Sequence, residues 1–454
     1  MNAKLGTRGL VRALIAATGA LLSALVPTFA ADTVFTAASV HTVSGDTLSP
    51  GAVHVRDGKI VAAGKQLRVA GAKVVDLKGL HVFPGLIASS TSLGLIEIDA
   101  IRASRDMVET GDFHPEVRSW LSVNPDSELL AVARANGITH FVVTPQGGVV
   151  SGQSGLLALD GWGIEEPVVK SPVALHVTWP RVDLDTTPRE RFANPAQWKS
   201  LDDQAKDRAK KFRELDEFFA EARAYAKAKA GAAAGQHKVV PAWEAMLPFV
   251  SGELPLVVHA EDVRQIKAAV NWAVTNKLKL ILAGGRDAWM HADLLATNKV
   301  PVIYERTFNM GGALSASTPR DTLAYDTHFT APAKLHAAGV KIIFNESLGG
   351  DAASTTRNLP YQAAQAVAFG LPRAEALRAI TLNPAQALGV ADRLGSIEAG
   401  KDATFFGATG DILDARTQVR RMWISGREVS LDSRHTRLFE KYKARPAPPH
   451  ARTP

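Results

Sequence analysis

The sequence predicts an α/β fold whose main body is a (β/α)₈ TIM barrel, and three observations point there. Short strand-like runs alternate with helical ones from His140 to Thr381, the rhythm of repeated βα units. Two β-rich segments, one before residue 85 and one after residue 389, bracket that body. The chain has 454 residues, 46% of them apolar, enough for one large barrel with additions or for two or three domains.

Residues 1–30 read as a secretory signal peptide. Lys4, Arg8 and Arg12 precede an apolar run from Ala13 to about Val26, and the small residues around Pro27-Thr-Phe-Ala30 suit a signal peptidase. That run is shorter than the roughly 20 residues that span a bilayer, and no other run approaches that length, so the mature chain is expected to be periplasmic or secreted with no transmembrane segment. There is no cysteine, which excludes disulfides, thiolate metal ligands and a cysteine nucleophile. The net charge of +7 gathers at the two ends, in the leader and in the tail 431–454, so nucleic-acid binding is not expected. The tail itself is basic and Pro-rich and reads as a solvated end.

From Asp32 to Asp76, β-rich runs cover Val34 to Val43, Gly51 to Arg56 and Lys59 to Ala63, with Asp57-Gly58 as a hairpin turn. Within the body, His140 to Thr144 follows a helical stretch. Leu254 to His259 leads into a helical run over Val263 to Asn276, and Leu278 to Leu282 into Asp287 to Thr297. Val300 to Tyr304 and Val340 to Phe344 add two strands, and helices over Leu359 to Phe369 and Arg373 to Thr381 close the series. Functional residues are expected at the C-terminal ends of such strands. The charged insertion 188–238 breaks the rhythm. Its apolar positions Phe212, Leu215, Phe218, Phe219 and Ala222 have helical spacing, which suits either a lid or partner surface or a solvated helix packed on the barrel. The glycine-rich run Gln146 to Gly155 lacks the Gly-Lys-Ser/Thr ending of a phosphate loop. It is expected as the loop after strand two, where Thr144, Gln146 and Gln153 would line a pocket.

Four phrases carry a family resemblance. They are His81-Val-Phe-Pro-Gly-Leu-Ile-Ala-Ser-Ser-Thr-Ser-Leu-Gly94, Val257-Val-His-Ala-Glu261, the stretch Ala376 to Gly389, and Gly395-Ser-Ile-Glu-Ala-Gly-Lys-Asp-Ala403. They resemble the amidohydrolase superfamily, with closest flavour to its imidazolonepropionase-like members, over nearly the whole mature chain. The resemblance implies that segments 31–84 and 390–430 pair into a composite β-sandwich beside a barrel over 85–389. It also implies hydrolysis of non-peptide carbon–nitrogen bonds, or of related cyclic amide and dipeptide bonds, at a binuclear metal site. In that family the ligands are a His pair on strand one, a carboxylate or carbamylated lysine on strand four, histidines on strands five and six, and an Asp on strand eight. Here Ser90 and Ser92 stand in place of the first pair, and Gly284 in place of the strand-six histidine. No Lys or Glu ends a readable strand four. His259 matches strand five, and Glu346 matches the strand-eight Asp, with Asp351 nearby.

A serine hydroxyl is a poor substitute for an imidazole nitrogen, so the usual binuclear mechanism is not expected, and the metal complement is at most one weakly held divalent ion or none. Two functions stay open. One is a divergent hydrolase in which His259 holds a metal, or His259 and Glu346 act as an acid/base pair. The other is a non-catalytic barrel that binds a small molecule, or that assembles as a homo-oligomer or with an active amidohydrolase through the charged insertion. Structural readings stand beside these: His259 as a hydrogen-bonded barrel histidine, and Glu346 paired with Arg286 or Arg357. Neither Ser90 nor Ser92 lies in a Gly-x-Ser-x-Gly nucleophile elbow.

Overall fold

The computed structural model describes residues 32–446, apart from 193, 232–237, 306, 309–322, 347 and 349–351. The leader, the end of the tail and Asp351 lie outside the described residues. Five N-terminal strands, β1 (Thr33–His41), β2 (Thr47–Leu48), β3 (Gly51–Arg56), β4 (Lys59–Gly64) and β5 (Lys73–Pro84), share one sheet with three C-terminal ones, β14 (Phe405–Ala408), β15 (Val419–Ile424) and β16 (Arg427–Val429). Between them β6 (Leu86–Thr91), β7 (Ile138–Val143), β8 (Val150–Ala158), β9 (Val168–Thr178), β10 (Leu256–Ala260), β11 (Leu280–Gly284), β12 (Val302–Tyr304) and β13 (Ile342–Phe344) form the barrel in sequential order. The α/β class and the composite sheet are as the sequence predicts.

In the composite sheet β5 lies between β1, parallel to it, and β14, antiparallel. Alternating apolar residues on these strands bury Phe35, Phe405 and Trp423, with ring centroids 4.9–5.2 Å apart. The Asp57-Gly58 hairpin is present, both residues having positive φ. A Cβ on Gly58 would lie 2.5 Å from the carbonyl oxygen of Ser425, so glycine lets this N-terminal turn touch the C-terminal β15–β16 turn.

The barrel departs from a regular (β/α)₈ rhythm at one strand. Residues from Val150 onward, expected as a loop, form β8, antiparallel to both β7 and β9. The glycines there serve packing: a Cβ on Gly155 would meet the Trp120 side chain at 3.0 Å. The insertion folds as the helix Leu201–Gly231, with Leu215, Phe219, Ala222 and Tyr225 buried. Phe219 meets Trp272 edge-to-face at 4.9 Å and Phe212 meets Trp179 at 5.6 Å, so an aromatic seam binds the helix to the barrel.

Strand periodicity sets what the barrel presents to its own interior. Ala174, Val257, Ile303 and Ile343 form an inner apolar layer. Two residues on, the same strands deliver His176, His259, Glu305 and Asn345 to the next layer toward the mouth. Closure between β13 and β6 is indirect. At one end Ile87 N–H donates to the Ile380 carbonyl (3.0 Å) and Phe344 N–H to the Ala379 carbonyl (3.1 Å), so residues 379–380 bridge the two strands. At the other end the Asn345 amide accepts from Ser90 N–H (3.1 Å) and donates to the Ser90 carbonyl. Asn345→Ala leaves both buried backbone groups without that partner, and a loss of about 2–4 kcal/mol in stability is expected from urea unfolding.

Candidate functional site

A pocket of about 470 Å³ opens at the C-terminal ends of β9 to β12, with Trp179, Arg181, His259, Glu261, Arg286 and Glu305 on its walls. Of these His259 lines the wall and is paired with a second histidine, His176, buried behind it. His176 Nδ1 lies 3.0 Å from His259 Nε2, in the orientation of an imidazole–imidazole hydrogen bond, with stacked rings 5.3 Å apart. Burial pushes His259 down to about 4 and His176 well below the imidazole range, where the nearby His259 adds to the effect. Both rings are therefore neutral near pH 7, one ring nitrogen donating to the other's lone pair. His176 is fully buried and its Nε2 meets no partner among the described residues.

Across the barrel Ser90 Oγ and Thr144 Oγ1 lie 3.2 Å apart. The Asn345 amide links Ser90 to Glu305 Oε1 (3.3 Å) and also donates to the Glu346 carbonyl. Ser92 is fully buried, and its hydroxyl has no partner among the described residues. Glu346 lies one residue past the inward position: its carboxylate accepts from Gln362 Nε2 at 2.7 Å, on the helix Leu359–Ala368. Among the described residues neither Arg286 nor Arg357 forms an ion pair with it. Arg286 contacts Asp287 (3.3 Å) and Asp262 (3.9 Å), and Arg357 reaches His435 (3.0 Å).

Gly284 ends β11 with φ of 87°, and a Cβ there would sit 2.8 Å from Glu261 Oε1. The Glu261 carboxylate in turn accepts the Arg286 N–H at 2.9 Å, so a side chain at 284 would have to displace that carboxylate. The structure brings Ser90, Thr144 and Asn345 together, and places His259 and Gly284 on the mouth pocket. It does not bring Gln153 there. That residue is inside β8, where its amide donates to the carbonyls of Pro115 (2.8 Å) and Ala245 (3.3 Å), beside a separate cavity of about 890 Å³. Three residues were not anticipated: His176, Glu305 and Asn345. The parity of Ala174, His176 and Thr178 on a single strand would have exposed the first.

A catalytic zinc-type ion needs three protein donors, and a binuclear site needs more. His176 and His259 supply two nitrogens, and among the described residues no third His, Asp or Glu converges on them. Ser90, Gly284 and the Asn345 amide add no such donor, so the described residues do not fit a binuclear metal site.

Comparison with known proteins supports the fold. The amidohydrolase family model matches residues 192–429. The crystal structure of an amidohydrolase from Thermotoga maritima MSB8 superposes with a TM-score of 0.74 at 25% identity, covering 88% of this chain and 99% of that one. A Xaa-Pro dipeptidase with bound methionine gives 0.52 at 16% identity over 88% and 100% of the two chains, a likeness of fold alone. Amidohydrolase tasK of Hapsidospora irregularis is 26% identical over 190 residues, 40% of this chain. The chain spans only 18% of that relative's length.

Restoring the strand-six histidine by Gly284→His should cost about 2–4 kcal/mol, from the left-handed backbone and the overlap with Glu261, as read by thermal or urea unfolding. The histidine pair also sets a pH dependence. The unfolded chain takes up a proton on His259 near 6.5, whereas the folded chain resists until about 4, so stability falls as pH drops through that window. Urea midpoints measured from pH 7 to 4 should decline less steeply in His259→Gln than in the unmodified chain.

Proposed function

The chain belongs to the amidohydrolase family, and from that premise we propose that it is an exported member that binds a small ligand at the barrel mouth without hydrolysing it by the two-metal route. The observation that carries this reading is the occupation of the ligand positions. Ser90 and Ser92 stand on strand one, Glu261 fills the space beside Gly284, and the inward group on strand eight is the Asn345 amide, already bonded to Ser90. Export is supported by the basic and then apolar leader ending near Ala30.

The chemistry of the mouth supports a ligand carrying both signs of charge. Arg181 and Arg286 share the pocket with Asp183, Glu261 and Glu305, beside the indole of Trp179. The neutral His176–His259 pair donates and accepts hydrogen bonds without adding charge. A small zwitterion, of the size of an amino acid or dipeptide, suits such a wall.

Plasma mass spectrometry of the chain from Ala31 onward, run beside a hydrolysis screen of dipeptides and N-acyl amino acids, tests the reading. No stoichiometric Zn, Mn or Fe and no turnover are expected, together with a raised melting temperature in millimolar zwitterion. About one equivalent of metal that His259→Ala removes, accompanied by turnover, would overturn it.

A further inference from the structure

The basic tail opens with an ordered element. Its first part forms the helix Arg434–Lys443, opened by a capping box in which Ser433 and Thr436 satisfy each other's backbone N–H groups. Every residue from Arg434 to Pro446 is exposed. The recorded side-chain ties to the barrel are polar: Arg437 pairs with Glu128 at 2.6 Å, and Arg357 meets His435 at 3.0 Å.

Its apolar side chains are left to solvent. Leu438, Phe439 and Tyr442 share one side of the helix and are 36%, 64% and 56% exposed. Bases flank that stripe, with Arg434, Lys441 and Arg445 recurring at helical spacing along one edge and Lys443 on the other. Lys441 lies over the Tyr442 ring at 5.5 Å and Lys443 over Phe439 at 5.7 Å, so ammonium groups and aromatic faces occupy the same patch. Within the helix Glu440 is the sole acid.

We propose that this helix docks the protein on an anionic phospholipid surface. An amphipathic segment with aromatic and leucine side chains between bases lies in the plane of a bilayer, its apolar groups at the acyl boundary and its bases at the headgroups. The charge pattern selects this occupant over a second copy of the chain. A two-fold contact would set the same bases against each other, and like charges across an interface repel.

The test is flotation of the chain from Ala31 onward, which holds every described element, with vesicles of phosphatidylglycerol mixed into phosphatidylcholine. Binding is expected to the mixed vesicles at low salt, and to fall to background on pure phosphatidylcholine. Lys441→Gln and Lys443→Gln should each weaken binding about fivefold. The Phe439→Ser/Tyr442→Ser double variant should abolish it, with an unchanged melting temperature because both side chains are exposed. Absent binding, equal binding to neutral vesicles, or full binding by the variants would overturn the proposal. So would a wild-type dimer that the double variant converts to monomer, because the stripe would then be a contact between copies.

Discussion

The Asn345 amide joins the last barrel strand to the first, and much of the molecule depends on that junction. A closed sheet must pair the backbone groups of its first and last strands. Here β13 is only three residues long, and Ile380 and Ala379 occupy the other end of the seam. Asn345 completes it with both halves of its amide, accepting from one Ser90 backbone group and donating to the other. A carboxylate in the same place could accept from the N–H but could not donate to the carbonyl. The seam therefore asks for an amide at this inward position.

The rest of the mouth follows a similar logic of neutralisation. His176 and His259 lose their charge through burial and bond to one another, while Glu261 is held by the Arg286 backbone in the room left by Gly284. An ionised imidazole would pay a desolvation penalty here. The aromatic seam under the Leu201–Gly231 helix includes Trp179, so the insertion helps to build one wall of the pocket.

The frame was legible in the sequence because it rests on local signals. Asp57-Gly58 has few conformational options, the alternating runs declare their strands, and His259 ends a clear apolar run. The site was harder to read because it depends on parity and register. A one-residue shift exchanges the inward and outward faces of a strand, which is why Glu346 matched the family phrase while Asn345 took the inward place. His176 was hidden for another reason. Its strand runs between a glycine-rich stretch that looked like loop and a charged insertion, so no periodic context marked Val173 to Thr178 as barrel. Gly284 was read as the place of a missing ligand, but the carboxylate that fills its space comes from another strand.

The composite sheet has a consequence for how the chain comes into being. Strand β5 is flanked by β1 on one side and by β14, from more than three hundred residues later, on the other. While the chain is being made, β5 is an unpaired edge and Phe35 lacks its neighbours Phe405 and Trp423. The N-terminal strands must then wait through synthesis of the whole barrel before that edge is covered. A truncation before residue 405 would leave that edge unpaired, and so prone to aggregation, even with the barrel intact.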